Sequence, residues 1–327
     1  MRHKYWYFKV CRGEDLKRIL FATDIHGSEK CWIKLINAGE IYKADAVIVG
    51  GDLTGKALIP IILQNDGTYK ASFLDQNWIL KSINEVEELE KSIRNIGYYP
   101  YRTDITEMEE LKNTPEKMNA IFETLICERI RKFIKIADER LKNSRFKLVV
   151  CPGNDDLPKI DELFNESESI INGEGRIIEV CGYEMISTGW VNRSPWNTYK
   201  ECDEEELFNK IENMALKLQD SKNSIFNLHA PPYGSGLDEA PEIDSKLSIK
   251  YAGQKKVPVG SIAVRNAILK YQPILGLHGH IHESKGVAKL GDTICINPGS
   301  LYEEGTLCLM IINLDKGKVK SWFPVMG

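Results

Sequence analysis

Three of the six histidines in this 327-residue chain fall within a single short stretch, as His278, His280 and His282. Neutral imidazole is the commonest protein metal ligand. With Gly279 allowing a sharp backbone turn, two of these rings can aim at one centre. Taken alone, the stretch is as well read as a His-rich turn facing solvent. Two further histidines, His26 and His229, lie close to Asp or at the end of an apolar run, and three polar groupings recur in similar places: Asp24 with His26, Asp52, and Asn154 with Asp155 and Asp156. Oxygen and imidazole donors without cysteine suit borderline divalent metals such as Mn, Fe, Co, Ni or Zn. The donors outnumber what one ion needs. A carboxylate can bridge two ions, and ions about 3.5–4 Å apart are the usual arrangement for phosphoester hydrolysis.

The elements that would carry these groups are short buried strands. Apolar runs at 18–22, 44–49, 147–151, 224–228, 274–277 and 292–296 each stop at or just before a polar cluster or a Pro-Gly turn. In open α/β sheets, ligands sit at the carboxyl ends of strands. Each cluster has a bland alternative, such as a helix cap for Asp24 or a turn for Asn154, but five such coincidences are not a natural explanation. Between them the periodicity predicts helices over 28–38, with Gly39 as the stop, and over 204–218 and 261–271. An aromatic strand is expected over 5–10, a turn at 12–15 and a closing hairpin from 306–314 and 318–323. Residues 56–145 break the pattern. Asn65-Asp66-Gly67 marks a hairpin, a helix is expected over 78–96, and a long amphipathic helix opens at Thr114-Pro115. This segment reads as a hairpin-plus-helices cap inserted into one domain spanning 1–327.

Asp24-Ile25-His26, Gly51-Asp52, Gly153-Asn154, His229 and Gly279-His280-Ile281-His282 resemble, in order and placement, the five motifs of the calcineurin-like metallophosphoesterases. The resemblance covers the chain outside the insertion. It implies an α/β (α+β) fold, a four-layer αββα sandwich with a dinuclear metal centre at the strand ends. Asp24, His26, Asp52 and His282 would bind one ion, and Asp52 would bridge to a second held by Asn154, His229 and His280. Catalysis would use Asp52, Asn154 and Asp155 and a metal-bridging hydroxide, with manganese the first expectation. One position departs from the pattern. Where the family has His after Gly-Asn, this chain has Asp155. An ionised Asp155 would repel a phosphate dianion, which favours a phosphodiester over a monoester; alternatively Asp155 does no chemistry.

The remaining residues carry less. His278 is expected to be structural, and His3 to lie at the surface. Arg193, in the aromatic loop 189–199, and Tyr233, in a Gly-containing loop after His229, are the candidate substrate contacts. The tryptophans of that aromatic loop are expected to pack in the core. A net charge of −4 disfavours a nucleic-acid surface. The eight scattered cysteines read as reduced thiols in a cytoplasmic protein, and no run is long enough to span a membrane. The expected function is hydrolysis of a small phosphodiester or nucleotide-like substrate. A nuclease on DNA or RNA, or a scaffold that binds metal with little catalysis, are the alternatives.

Overall fold

The computed structural model describes residues 16–244, 246 and 248–327, with Tyr251 and Ala252 described by backbone alone. The expected strand over 5–10, the turn at 12–15 and His3 lie outside the described residues. Two six-stranded sheets form the centre. In the first, Lys17–Ala22, Ala46–Val49, Lys147–Val150 and Ile170–Asn172 run parallel side by side. The antiparallel hairpin Cys308–Asp315 and Lys318–Met326 extends it on the Lys17–Ala22 side. In the second, Tyr183–Thr188, Ser224–Leu228, Leu275–Leu277 and Thr293–Asn297 are parallel. Ile177–Val180 and Gly286–Leu290 flank them antiparallel.

The two-residue period of a strand sorts its side chains between two faces, and the packing follows that period. Ile19, Phe21, Ala46, Ile48 and Val149 meet Met185, Ile225, Leu275, Leu277 and Ile296 in a core between the sheets. Their neighbours Leu20, Ala22, Val47, Val49, Leu148 and Val150 face outward onto helices. On the second sheet, Ile186, Phe226, Leu228 and Cys295 face the helices Glu204–Ala215 and Ile262–Tyr271. The result is the αββα sandwich. Apolar strands buried on both faces read as continuous hydrophobic runs, which is why the sequence showed them without alternation.

The helix Glu29–Ile41 is capped by Ser28, whose side chain accepts from the Cys31 N–H. It runs past Gly39, which therefore does not stop it. A Cβ there would lie 2.4 Å from the Phe146 ring, so the glycine serves a close helix–ring contact. Trp32 of this helix stacks on Phe133 of the long helix Pro115–Leu141, with ring centroids 4.7 Å apart. Trp32 Nε1 also donates to the Phe133 carbonyl at 3.1 Å. Truncating such a buried aromatic typically costs about 3–5 kcal/mol.

The segment between Ala46–Val49 and Lys147–Val150 packs in two places. Ile126, Ile130, Phe133, Ala137 and Leu141 of the long helix belong to the outer layer of the first sheet. The preceding part makes a four-stranded sheet in the order Gln76–Leu80, Tyr69–Phe73, Leu58–Leu63, Tyr99–Asp104. With the helix Ile83–Asn95 it closes a small core of its own around Ile61, Phe73, Val86, Leu89 and Ile93. The helix expected from residue 78 is a strand at its start. Leu74 and Asp75 both take left-handed backbone angles, which makes a tight hairpin of the kind usually signalled by Asn-Gly. Tyr99–Asp104 pairs parallel with Leu58–Leu63 and did not stand out in the sequence. Among the described residues no helix is long and apolar enough to cross a membrane.

Candidate metal centre

All the motif residues emerge at the carboxyl ends of central parallel strands. Asp24 and His26 follow Lys17–Ala22, Asp52 follows Ala46–Val49, and Asn154 and Asp155 follow Lys147–Val150. From the second sheet, His229 follows Ser224–Leu228, and His280 and His282 follow Leu275–Leu277. The loops are knitted together by backbone bonds from Asp24, His26 and Gly27 N–H to the carbonyls of Gly51, Asp52 and Leu53. Asp24, His26, Asp52 and His280 all have left-handed φ, between 39° and 66°. Non-glycine residues hold such angles at a cost when the surroundings over-determine them, and such residues cluster at functional sites.

Three groups of ligand atoms converge. Asp24, His26 and His282 form one, Asp52, His229 and His280 a second, and His26, Asp52 and Asp155 a third, with the atoms of each within 4.8 Å of one another. His229 Nε2 lies 3.4 Å from Asp52 Oδ2 and 3.7 Å from Asp24 Oδ1. His282 Nε2 lies 3.3 Å from Asp24 Oδ1. Asp24, His26, Asp52, Asn154 and His229 are buried.

The glycines of the motifs are steric requirements of this cluster. A Cβ on Gly51 would stand 2.0 Å from His229 Nδ1, one on Gly153 2.2 Å from Asp52 Oδ1, and one on Gly279 2.5 Å from Asp24 Oδ2. Each ligand therefore nests against the backbone of another motif.

Neighbours that the sequence reading missed orient the ligands. His26 Nδ1 faces the Thr54 carbonyl at 3.2 Å. Donation there places the proton on Nδ1 and leaves Nε2 as a bare donor nitrogen, the tautomer a metal requires. Thr23 Oγ1 donates to Asp24 Oδ2 at 2.7 Å, and the Asp155 N–H donates to Asp52 Oδ1 at 3.0 Å. The Asn154 amide donates to Thr198 Oγ1 at 2.8 Å and to Asp155 Oδ1 at 3.2 Å. The ring of Tyr302 lies 4.5 Å from that of His26. No sequence signal marked Thr23, Thr54 or Tyr302.

His278 is buried, and its Nδ1 faces the carbonyls of Leu228 and Ala230 at 2.8 and 3.1 Å, on either side of His229. Burial lowers its pKa to about 4, so it is a neutral brace for the His229 loop. Asp156 is also buried. Its carboxylate accepts from the N–H groups of Leu53, Thr54 and Gly153 and from Thr54 Oγ1. It thus pins the loop that carries Asp52.

The donor set fits divalent ions. Asn154 Oδ1 and both His229 ring nitrogens are buried without a hydrogen-bond partner, although a buried polar atom normally has one. Electrostatics point the same way. Burial alone would raise the Asp52 pKa, yet His229 and His26 hold it well below the usual carboxylate range. Burial alone would lower the His229 pKa, but Asp52 and Asp24 push it up to about 9. His26 and His280 are lowered to about 3 and about 4, mainly by burial. Ionised Asp52 beside neutral His26 and His280 offers a cation ready donors, while His229 must give up a proton to ligate one.

The two substrate candidates stand apart from this cluster in their bonding. Arg193 is exposed and pairs with Asp203 at 2.6 Å. Tyr233 is 40% exposed, and its main chain bonds to Ser261 and Arg265. The aromatic loop divides. Trp190 packs against the second sheet's helices, whereas Trp196 and Tyr199 are exposed. With Asn197, Thr198 and Asp155, those two line a cavity of about 380 Å³.

No protein-family model matches the chain. A protein of Methanocaldococcus jannaschii described as uncharacterized is 29% identical over 180 residues, which is 53% of this chain and 75% of that one. Among solved structures, one overlays with a TM-score of 0.55 at 18% identity, covering 95% of this chain and 98% of the other. TT1561 of Thermus thermophilus overlays with a TM-score of 0.53 at 15% identity, with the same coverage of both chains. At these identities the likeness is one of fold.

Proposed function

We infer, from a fold and an order of motifs that resemble those of the calcineurin-like metallophosphoesterases, that this chain hydrolyses a phosphoester with two divalent metal ions. The observation that carries this reading is the convergence of Asp24, His26 and His282 beside Asp52, His229 and His280, with Asn154 Oδ1 and the His229 nitrogens left without partners. Asp24, His26, Asp52 and His282 would hold one ion, and Asp52, Asn154, His229 and His280 the other. Manganese is our first expectation, with iron, cobalt, nickel and zinc compatible with the same donors. Bound there, such ions supply an activated water and neutralise charge developing on the phosphoryl group.

The chain's own residues do the positioning. Asp156 and Thr54 fix the loop of Asp52 and the tautomer of His26. The Asp155 N–H orients the Asp52 carboxylate, and His278 fixes the peptide groups around His229. For the substrate we favour a small phosphodiester with an aromatic or nucleobase group. Supporting this are the cavity beside Asp155 and the exposed faces of Trp196 and Tyr199 that line it, since aromatic faces stack bases without sequence preference. The retained, converging ligands weigh against a scaffold role. We place the protein in the cytoplasm on its buried free thiols at Cys31, Cys127, Cys151, Cys202, Cys295 and Cys308, a state that reducing compartments maintain.

The test is turnover of bis-p-nitrophenyl phosphate and p-nitrophenyl phosphate by protein supplied with Mn²⁺. Hydrolysis of the diester in preference to the monoester is expected. Absence of turnover of both by metal-loaded protein would overturn the reading.

A further inference from the structure

Lys56 is the first side chain of the inserted segment, and its ammonium lies 2.9 Å from Asp155 Oδ2 at the edge of the ligand cluster. Asp155 in turn has an oxygen within 4.8 Å of ligand atoms of His26 and Asp52. The backbone that delivers Lys56 is held at three points. Thr54 donates to Asp156 from both its N–H and its hydroxyl. The Gly55 N–H donates to the buried Tyr99 hydroxyl at 2.9 Å. Gly55 also packs against Gly97, where a Cβ would stand 1.8 Å from the Gly97 carbonyl. A side chain starting from so fixed a root, yet 45% exposed along its length, can present its ammonium to the mouth of the site.

Three cations on neighbouring elements are committed elsewhere. Arg129 donates to the Gly27 carbonyl and pairs with Glu29. Lys200 is buried on Asp161, and Arg193 is paired with Asp203. Without Lys56 the rim would present Asp155 as a bare carboxylate to an anionic substrate. An ammonium has three donors, so bonding to Asp155 leaves others for a phosphoryl oxygen.

We propose that Lys56, held by Asp155, is the residue of this chain that contacts the phosphoryl oxygens of the substrate. The inference rests on the phosphoesterase reading and deepens it. Asp155 is then a positioning residue, and the cap contributes a functional group to the site.

The experiment compares wild type, Lys56→Met, Lys56→Arg, Asp155→Asn and the Lys56→Met/Asp155→Asn double variant. All are loaded with Mn²⁺ and checked for equal metal content. Removing a charge-assisted bond should lower kcat/KM about 10- to 100-fold in Lys56→Met. The loss should be greater for the dianionic monoester than for the diester, with partial recovery in Lys56→Arg. The double variant decides between contact and mere neutralisation. If Lys56 touches substrate, the double stays as low as Lys56→Met. If Lys56 only cancels the charge of Asp155, the double returns to within about twofold of wild type, which would overturn the proposal.

Calorimetric binding of inorganic phosphate to the same metal-loaded proteins supplies a readout independent of turnover. Lys56→Met should weaken it about 10-fold or more. Unchanged phosphate affinity in Lys56→Met, or no phosphate binding by wild type, would overturn the proposal. Wild type that binds phosphate through Lys56 but cleaves neither ester would instead sink the phosphoesterase reading and leave the Lys56 contact standing.

Discussion

The Nε2 atoms of His26 and His282 face each other at 3.0 Å across 256 positions of sequence. His26 Nδ1 is turned to the Thr54 carbonyl, so His26 Nε2 offers a lone pair that accepts from His282 Nε2–H. Displacing that one proton frees both nitrogens for an ion between them. Adding Mn²⁺ should therefore raise the melting temperature, with stabilisation of about 2.7 kcal/mol at a hundredfold excess over Kd. Chelation should reverse it. Melting of wild type and His282→Ala with and without metal checks this, and an equal response in both would count against the assignment.

Asp52 stands in two of the three ligand groups and is the expected bridge. Asp52→Asn keeps the shape and removes the charge. Activity should fall by more than about 100-fold, the upper range for disturbing even an outer partner of a metal site. Elemental analysis should show fewer ions per chain. Full metal content with full activity would remove Asp52 from its proposed role.

Gly153 is a test of nesting that touches no donor atom. Gly153→Ala would drive a methyl to 2.2 Å from Asp52 Oδ1 and 2.4 Å from the Asp52 N–H nitrogen. The backbone atom cannot swing aside, so the loop must move. We expect metal affinity to fall at least about 10-fold while far-ultraviolet circular dichroism stays that of wild type.

Proton release should accompany metal binding. In the metal-free protein the carboxylates of Asp52 and Asp24, outweighing burial, push the His229 pKa up to about 9. At neutral pH that ring carries a proton which an ion must displace. Affinity should therefore rise with pH through neutrality, and titration calorimetry in buffers of different ionisation enthalpy should report net release. Heats independent of buffer would contradict it.

The segment after Asp52 meets the candidate metal loops at three glycines in close backbone contact. A Cβ on Gly27 would lie 2.8 Å from Gly55 N and from the Gly97 carbonyl, and one on Gly97 would lie 1.9 Å from the His26 carbonyl. Gly55→Ala should destabilise the protein by about 1–3 kcal/mol, the usual cost of overpacking, read as a lower denaturation midpoint. It should also reduce activity by displacing Lys56.

The convergence of the donor residues was legible in the sequence because each follows an apolar run, and those runs are the strands buried on both faces. His280 and His282 needed no structure to be suspected, and His278 was set apart because it lies off the motif that the family resemblance supplies. What orients the ligands was not legible. Thr23, Thr54 and Tyr302 are ordinary residues whose roles exist only once distant loops meet. Lys56 was hidden for the same reason, since a single lysine after Thr-Gly carries no periodic or compositional mark. In the insertion, the hairpin at Asn65-Asp66-Gly67 was readable from its turn. The strand Gln76–Leu80 was not, because Leu74 and Asp75 make a left-handed turn with residues that seldom advertise one.

The first sheet places Lys17–Ala22 directly beside Cys308–Asp315. Residues of the first strand thus wait for residues made nearly 300 positions later before their edge is covered. Contacts of such long range slow folding, and the unpaired edge of Lys17–Ala22 is open to other partners in the interval. A nascent chain halted before residue 308 would hold the residues for Asp24, His26, Asp52, His229, His280 and His282, yet lack the strand that completes the platform beneath the first three. The assembly of this centre therefore waits on strand order rather than on the donor residues themselves.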